Sequence, residues 1–336
     1  MASDKPKVGL LLGDPTGIGP ELVVKLLKEE DIYEWAQVLV VGDRRVFEMG
    51  QKIANVEVDY RVVERASDMR SDEKLAFLDF PTISPTEIEI GKVNGKAGKA
   101  VLEMLSFAIK LAKEGDIDAI VYAPLNKQAM LLAGSPFEDE LHFFVHELAW
   151  DGLHGELNVL DDLWTSRVTS HVPIREVSSL ISERRVYEAI VLIDSAMRSY
   201  GYAKPRIAVS ALNPHSGEGG FFGQEEKESI APAIEKARAQ GIGANGPFSA
   251  DTIFLRAKRE DFDGIVSMYH DQGQIAMKLM GFERSITING GLPIPITTPA
   301  HGTAHDIAGR GIANPGALKR ALFVASRMAS NAKAKE

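Results

Sequence analysis

Apolar runs of strand length alternate with helical patterns along the chain. VGLLLG at 8–13 and DAIVYAP at 118–124 are almost continuously apolar, as are the runs at 36–43, 206–212 and 264–270. Such runs indicate strands buried on both faces, because a strand with one face in water alternates between apolar and polar residues. The pattern predicts an α/β fold with a mostly parallel sheet covered by helices.

Helical spacing occupies the segments between these runs. One helix is predicted to begin at Pro20, where a proline is tolerated in the first helical turn, and another to run from Arg45 to Ile53. Between Lys99 and Lys113, apolar side chains recur near the helical period. This segment is therefore predicted to be an amphipathic helix that packs on the core and leads into the next strand.

The length predicts two domains, because 336 residues exceed what one hydrophobic core normally supports. The chain contains no repeat or long flexible linker, so the boundaries are placed at a turn-rich segment, 134–139, and a proline-rich segment, 292–299. The predicted domains are a first α/β domain of residues 1–133 with 297–336 and a second α/β domain of residues 134–296.

Composition narrows the class of partner. The net charge of -9 argues against a nucleic-acid or anionic-membrane surface and favours a small-molecule partner. Cysteine is absent, which excludes disulfides, thiolate nucleophiles and cysteine-ligated metals and leaves histidine and carboxylates as strong metal ligands. The first apolar run is too short for a signal peptide or a membrane span, so we expect a cytoplasmic protein.

Three histidines follow strand-like runs and lie in turn-rich segments: His171 in TSHVPI, His215 in ALNPHSGEGG and His270 in VSMYHDQG. Imidazole is the commonest protein ligand for borderline divalent metals, and three protein ligands with one open position are typical of a catalytic site. The carboxyl ends of strands line the functional crevice of α/β proteins. The sequence therefore predicts a metal site, with Zn, Mn, Co, Ni and Mg all open. The alternative for each histidine is a hydrogen-bonded loop residue.

Two glycine-rich segments are candidates for ligand binding. LLGDPTGIGPELV near the N-terminus lacks the spacing of a P-loop or of G-x-G-x-x-G, so its spacing indicates only a tight turn from strand to helix. HGTAHDIAGRGIANPGAL at 301–318 combines four glycines with small residues, which lets backbone approach a flat or anionic ligand. Its alternative is a surface loop followed by a helix that begins after Pro315.

Six motifs, in order along nearly the whole chain, resemble the signatures of the 4-hydroxythreonine-4-phosphate dehydrogenase family. This is the PdxA family of vitamin B6 biosynthesis, together with its catabolic relatives. The motifs are GDPTGIGPE (13–21), APLNK (123–127), NPHSGEGG (213–220), GPFSADT (246–252), MYHDQG (268–273) and HGTAHDIAGRG (301–311). The last also resembles the cofactor loop of isocitrate and isopropylmalate dehydrogenases.

The resemblance implies a two-domain α/β/α subunit like that of isocitrate and isopropylmalate dehydrogenases. It also implies a homodimer with the active site at the interface, where NAD or NADP and a divalent metal oxidise a secondary alcohol. Decarboxylation of the β-keto product follows in the family reaction.

The resemblance also assigns roles to individual residues. The implied metal ligands are His171, His215 and His270, one of them supplied across the dimer interface. Lys278 and Asp251 are the implied catalytic residues. Substrate contacts fall on His142, Glu140, Asn213, Lys278 and Thr287. Cofactor contacts fall on Gly291, His301, Gly302, Thr303 and Asn314. Beside His270, Asp271 is a candidate to orient an imidazole, with a turn residue as its alternative.

The chain departs from the family pattern where phosphate binds. The family's Gly-His-Thr-Glu reads Asp139-Glu140-Leu141-His142 here, with His142 or His146 available for the lost donor. The family's phosphate-contacting Arg aligns with Ile296, and its neighbouring Asn aligns with Thr287. A phosphate dianion would lose a cation and gain a repelling carboxylate. We therefore hypothesise a substrate other than 4-phosphohydroxy-threonine.

Two alternatives follow. One is a decarboxylating cis-dihydrodiol or unphosphorylated hydroxy-acid dehydrogenase of a catabolic pathway. The other, of a different class, is a metal-dependent hydrolase or a silent binding protein, which NAD binding would distinguish. The segment 139–167, rich in aromatic and acidic residues, is a candidate lid or dimer contact.

Overall fold

The computed structural model describes residues 5–260 and 262–334 and confirms the predicted α/β fold. The strands, in chain order, are β1 (Lys7–Leu11), β2 (Gln37–Gly42), β3 (Arg61–Val63), β4 (Leu75–Asp79), β5 (Ala119–Tyr122), β6 (Gly155–Leu160), β7 (Leu163–Arg167), β8 (Arg206–Ser210), β9 (Gly243–Phe248), β10 (Gly264–Ser267), β11 (Ser285–Gly290) and β12 (Ile296–Pro299).

The α-helices are α1 (Gly19–Leu26), α2 (Ile32–Trp35), α3 (Arg44–Ala54), α4 (Gly95–Lys113), α5 (Lys127–Leu132), α6 (Glu140–Leu148), α7 (Ile174–Leu180), α8 (Glu183–Tyr200), α9 (Ala231–Ala239), α10 (Ile253–Arg259), α11 (His270–Gly281) and α12 (Gly316–Lys333). Within the described ranges, none of these helices is long and apolar enough to span a membrane.

The chain divides into two compact units, Met1–Asp151 with Leu292–Glu336 and Gly152–Gly291. The strands of the first unit follow the order β3-β4-β2-β1-β5-β12, and their pairings are parallel. The continuously apolar strands are buried on both faces as predicted, with Val8, Leu10 and Leu11 of β1 fully buried.

Residues 134–151 group with the first unit, whereas the predicted boundary assigned them to the second. The physical reason is that α6 packs on α4. Phe144 of α6 is fully buried, and its ring centroid lies 5.7 Å from that of Tyr122 on β5. At the other crossing the division falls after Gly291 rather than after Ile296, because β12 pairs with β5.

Strands of the second unit follow the order β11-β6-β7-β10-β8-β9. β6 pairs antiparallel with both β11 and β7, whereas β7, β10, β8 and β9 pair in parallel. The segment 139–167, whose structure the sequence left open, contains α6, β6 and β7. Because β7 and β10 are parallel neighbours, their carboxyl ends lie side by side, and the candidate metal ligands follow these two ends.

Candidate metal and cofactor sites

His171 and His270 lie close together in the second unit. His171 follows β7 by four residues, and His270 opens α11 just beyond β10. Their ring centroids are 5.8 Å apart. One divalent ion bonded at about 2.0–2.1 Å to a nitrogen of each ring can bridge this separation. The two residues therefore form a pair of candidate metal ligands.

His270 is oriented by its neighbour in the sequence. Its Nδ1 lies 2.7 Å from Asp271 Oδ1. An ionised carboxylate only accepts hydrogen bonds, so Nδ1 carries the proton and donates it, leaving the Nε2 lone pair for a ligand. Of the two roles considered for Asp271, the orienting contact is therefore present.

His215 lies in a strained loop and is not grouped with the other two histidines. His215, Ser216 and Glu218 have φ values of 51°, 54° and 43°. His171 shares this left-handed geometry, with a φ of 30°. Non-glycine residues in this region carry a backbone cost that persists where surrounding contacts impose it, often at functional sites. Among the described residues, the group of three potential ligands within 4.8 Å of one another is Glu138, Asp139 and His142, so His215 does not complete a triad within one chain.

A buried carboxylate holds the His215 loop. Glu226 is 4% exposed, and its Oε1 accepts hydrogen bonds from Leu212 N at 2.9 Å and Asn213 N at 2.7 Å. The Asn213 side chain donates to Glu225 and Glu226. The amide of Asn213, implied as a substrate contact, thus forms part of the loop's own support.

The remaining predicted residues of this unit are spread over several elements. Lys278 is exposed on α11, eight residues beyond His270, and Asp251 is exposed in the turn before α10. Thr287 is half-buried on β11, where its Oγ1 accepts a hydrogen bond from Asn158 Nδ2 at 3.0 Å. A Cβ at Gly291 would fall 2.0 Å from Leu153 O, so close backbone packing requires this glycine.

In the first unit, the departure at 139–142 forms a helix cap. Asp139 Oδ1 accepts hydrogen bonds from His142 N at 3.0 Å and His142 Nδ1 at 2.6 Å at the start of α6. Burial raises the pKa of Asp139, but the hydrogen bonds from His142 and the charges of His142 and Lys127 outweigh it, so the pKa is lowered. Glu140 pairs with Lys127 at 3.7 Å. The segment therefore presents anionic groups, as the sequence indicated.

Ile296, which aligns with the family's phosphate-contacting Arg, is 0% exposed on β12. Its position in the core of the first unit gives a phosphate group neither a cation nor a hydrogen-bond donor from the side chain.

The predicted cofactor segment, 301–315, combines accessible and anchored residues. A Cβ added at Gly302 would meet nothing within 4 Å, so its backbone is open to a ligand, and His301 beside it is half-buried. Thr303 is buried, and its carbonyl oxygen accepts a hydrogen bond from Ile18 N at 3.1 Å. Asn314 Oδ1 accepts from the backbone N of residue 316 at 2.8 Å and supports the start of α12.

α1 anchors the far end of this segment. Glu21 is 1% exposed, and its Oε1 accepts hydrogen bonds from Ala313 N and from Lys25 Nζ, both at 2.7 Å. Lys25 Nζ also donates to Gly311 O at 2.9 Å and to Ala313 O at 2.8 Å. The Glu21 and Lys25 pair therefore connects α1 to the end of the 301–315 segment by hydrogen bonds.

The loop after β1 anchors the near end. Thr16 Oγ1 donates to Asp14 Oδ1 at 2.7 Å and lies 3.2 Å from His305 Nε2. Asp14 is fully buried, and burial raises its pKa more than the hydrogen bonds from Thr16 lower it. The GDPTGIGPE motif therefore shapes the 301–315 segment.

Over residues 34–325 the sequence matches the family described as "Pyridoxal phosphate biosynthetic protein PdxA". The chain belongs to the PdxA family. A Pseudomonas aeruginosa protein with the provisional name 4-hydroxythreonine-4-phosphate dehydrogenase 2 is 48% identical, over 97% of this chain and 98% of that protein. An Oceanobacillus iheyensis protein with the provisional name D-threonate 4-phosphate dehydrogenase is 38% identical, over 97% of this chain and 99% of that protein.

Solved structures agree with the family and the fold. The crystal structure of 4-hydroxythreonine-4-phosphate dehydrogenase from Klebsiella pneumoniae superposes with a TM-score of 0.85 at 32% identity, covering 98% of this chain and 100% of that one. The chain is therefore a PdxA-type dehydrogenase with the α/β fold of that family, as the six motifs predicted.

Sequence reasoning missed several charged residues that support the candidate metal and cofactor sites. Glu21 entered the sequence analysis only as the last residue of the GDPTGIGPE motif, yet it accepts a hydrogen bond from a residue 292 positions away. Glu226 lies in a charged stretch and has no distinguishing pattern. Arg167 carried a usable signal, since it is a cation at the end of a strand-like run just before a candidate metal ligand.

Proposed function

We propose that this PdxA-family dehydrogenase oxidises the secondary alcohol of a four-carbon hydroxy acid resembling 4-hydroxythreonine 4-phosphate or D-threonate 4-phosphate. The 301–315 segment would hold NAD or NADP, which would supply the hydride acceptor, and the β-keto acid product would lose carbon dioxide. The observation that carries the proposal is the His171 and His270 pair, with Asp271 orienting one ring, at the carboxyl ends of adjacent strands. The relatives' names supply the substrate class.

His171 and His270 are suited to hold a divalent ion, and the third ligand of our proposal is His215 of the partner subunit. The close pair within one chain and the separate position of His215 support this proposal. When bound, the ion supplies Lewis-acid polarisation of the alcohol oxygen and of the ketone that forms from it. The chain's own contribution is to fix the rings, through Asp271 for His270 and through the strained loop for His171.

Other predicted residues have separate tasks in this proposal. Lys278 Nζ neutralises the substrate carboxylate or delivers a proton after carbon dioxide leaves. Asp251 lies in the same unit and is the second candidate for proton transfer. The open backbone at Gly302, beside His301, receives the dinucleotide, while Glu21 and Lys25 hold the loop in shape.

A second candidate, an unphosphorylated hydroxy acid or a carboxylated cis-diol, is favoured by one group of observations. Ile296 is buried where the family has its phosphate-contacting Arg, and Asp139 and Glu140 place negative charge on the segment that binds phosphate in the family. Repulsion from these carboxylates would weaken binding of a dianion.

The test is reduction of NAD and NADP by four compounds, each with and without added Mn²⁺. The compounds are 4-phosphohydroxy-L-threonine, D-threonate 4-phosphate, D-threonate and a carboxylated cis-diol. Saturable, metal-dependent turnover of a phosphorylated compound with release of carbon dioxide is expected. Turnover confined to the unphosphorylated compounds would move the assignment to the second candidate, and absence of nucleotide reduction with all four would contradict both.

A further inference from the structure

A polar network lies on one face of the sheet in the second unit. It consists of Glu156 and Asn158 on β6, Arg167 on β7, Ser170 beyond β7, Gln274 on α11 and Thr287 on β11. We call it the Arg167 network. Strand register explains its assembly: Asn158 pairs with Thr165 on one side and with Thr287 on the other. Residues two apart on a strand share a face, so Glu156 and Arg167 lie on the same face as Asn158.

Arg167 connects three partners through three different nitrogens. Its Nε donates to Ser170 Oγ at 3.1 Å and its Nη1 to Asn158 Oδ1 at 2.8 Å, while its Nη2 lies 2.9 Å from Glu156 Oε1. The side chain is only 7% exposed. A buried cation is costly unless its charge and donors are matched, and the planar guanidinium satisfies all three directions at once.

The orientation of the Asn158 amide follows from this arrangement. Its Oδ1 accepts hydrogen bonds from both Arg167 and Gln274, so the oxygen must face those donors. Its Nδ2 therefore faces Thr287 and donates to Oγ1 at 3.0 Å. Because the Thr287 oxygen accepts this bond, the hydroxyl proton is directed elsewhere and can be donated to a ligand.

The other branch of the network reaches the loop that carries His171. Ser170 immediately precedes His171, whose φ is 30°. The same loop is bonded to the segment before His270, since Val168 N donates to Ser267 O at 2.9 Å and Thr169 N to Met268 O at 3.1 Å. Arg167 is the charged group that links this loop to β6 and, through Asn158, to β11.

We propose that Arg167 is a positioning residue that fixes His171 for metal binding through Ser170 and sets the Thr287 hydroxyl as a hydrogen-bond donor to substrate through Asn158. The metal part rests on the function proposed above. Arg167 contacts neither ion nor substrate in this assignment. Arg167 acts on His171 through Ser170 and on Thr287 through Asn158. Because the two routes share no residue beyond Arg167, variants can test them one at a time.

The experiment titrates Mn²⁺ alone into metal-free full-length protein by calorimetry and measures KM and kcat separately. Arg167→Met is expected to weaken Mn²⁺ binding about tenfold or more, in the range found for groups that support metal ligands. It is also expected to raise KM. Ser170→Ala is expected to weaken Mn²⁺ binding only, and Thr287→Val to raise KM only. Arg284→Met, which removes an exposed arginine paired with Asp161 at 3.0 Å, is the matched control and should change neither.

Circular dichroism establishes that each variant is folded, and Ser170→Ala and Thr287→Val keep the test valid if Arg167→Met does not fold. Wild-type Mn²⁺ affinity in Ser170→Ala overturns the metal branch, because any loss in Arg167→Met would then reach the metal site by a route other than Ser170. An unchanged KM in Thr287→Val overturns the substrate branch. Failure of the wild-type protein to bind Mn²⁺ contradicts the metal site of the proposed function itself, a result distinct from both.

Discussion

At the scale of single residues, the candidate metal site depends on which nitrogen of His270 carries the proton. Asp271 fixes this by accepting a hydrogen bond from Nδ1, with Nδ1 and Oδ1 2.7 Å apart, so the unprotonated nitrogen is the one available to a cation. The carboxylate is exposed, so its contribution is orientation and choice of tautomer more than electrostatic attraction.

Asp271→Asn tests this role, because an amide can accept from Nδ1 or donate to it and so no longer selects one tautomer. We expect a loss of metal affinity of about tenfold, with a parallel fall in kcat/KM and no change in folding. Titration with Mn²⁺ measures the metal affinity. Asp72→Asn, which alters an exposed carboxylate of the first unit, is the control. Equal Mn²⁺ affinity in the two variants would show that Asp271 only occupies the first turn of α11 and does not orient the imidazole.

The supporting residues were hard to predict at this scale for a physical reason. The supporting role of Glu21 depends on a hydrogen bond from a backbone amide 292 positions away. The role of Arg167 depends on a hydrogen bond to a side-chain amide on a neighbouring strand. Periodicity and short motifs report local structure and cannot supply such partners. The three histidines were predicted because their positions after strand-like runs, within turn-rich segments, are local features.

At the scale of elements, the sequence predicted the strands that are continuously apolar and therefore buried on both faces. It did not predict the secondary structure of the segment that forms β6 and β7. The reason is the Arg167 network. β6 and β7 alternate buried apolar residues such as Val159 and Trp164 with network residues such as Asn158 and Arg167. The sequence pattern does not show hydrogen-bond partners. Buried polar residues that have such partners therefore look the same in the sequence as the exposed polar residues of a loop.

Caps explain where helix bounds differ from the prediction. The amphipathic pattern places the start of α4 at Lys99, whereas the helix begins at Gly95. Asn94 Oδ1 accepts hydrogen bonds from Lys96 N at 2.8 Å and Ala97 N at 3.3 Å, which adds a first turn that carries little apolar signal.

The cap of α6 predicts a pH-dependent contribution to stability. The pKa of Asp139 is lower in the folded chain, so its carboxylate favours folding above the unfolded-state pKa of about 3.9, and this contribution is lost as pH falls through the lower folded-state value. Asp139→Ala should lower the free energy of unfolding by about 1 kcal/mol at pH 7, as for other N-caps, with the difference shrinking below pH 4.

Urea unfolding at pH 7 and below pH 4 measures the difference in the free energy of unfolding between wild type and Asp139→Ala. Glu138→Ala, which removes the adjacent exposed carboxylate but no cap, should behave like the wild-type protein. A difference between Asp139→Ala and wild type that stays constant with pH would mean that the lost stability does not come from the ionised carboxylate.

At the scale of the whole molecule, the candidate metal site is incomplete in one chain. The register of β7 with β10 brings His171 and His270 together, and the sequence made this expectation from strand ends alone. It could not show that His215 stays apart, because that depends on the path of the loop supported by Glu226. A closed dimer in which each chain lends its partner one residue gives two equivalent complete sites.

Subunit mixing tests this arrangement. His171→Ala and His215→Ala are each expected to be inactive alone. In a mixed dimer, the chain with intact His171 and His270 receives His215 from its partner, so one of two sites is complete. Random reassociation of equal amounts should therefore restore about a quarter of wild-type activity, since half of the dimers are mixed and each has one complete site.

Mixing His171→Ala with His270→Ala is the decisive control. Both residues belong to the same chain's part of the site, so every site in the mixed dimer lacks one of them and no activity should return. Recovery in this control but not in the first mixture would assign the shared ligand to His270, and recovery in both mixtures would assign it to His171. Absence of recovery in both, with reassociation verified by native mass spectrometry, would mean that each chain holds all three ligands itself, and the loop of His215 would then have to move toward the other two histidines when the ion binds.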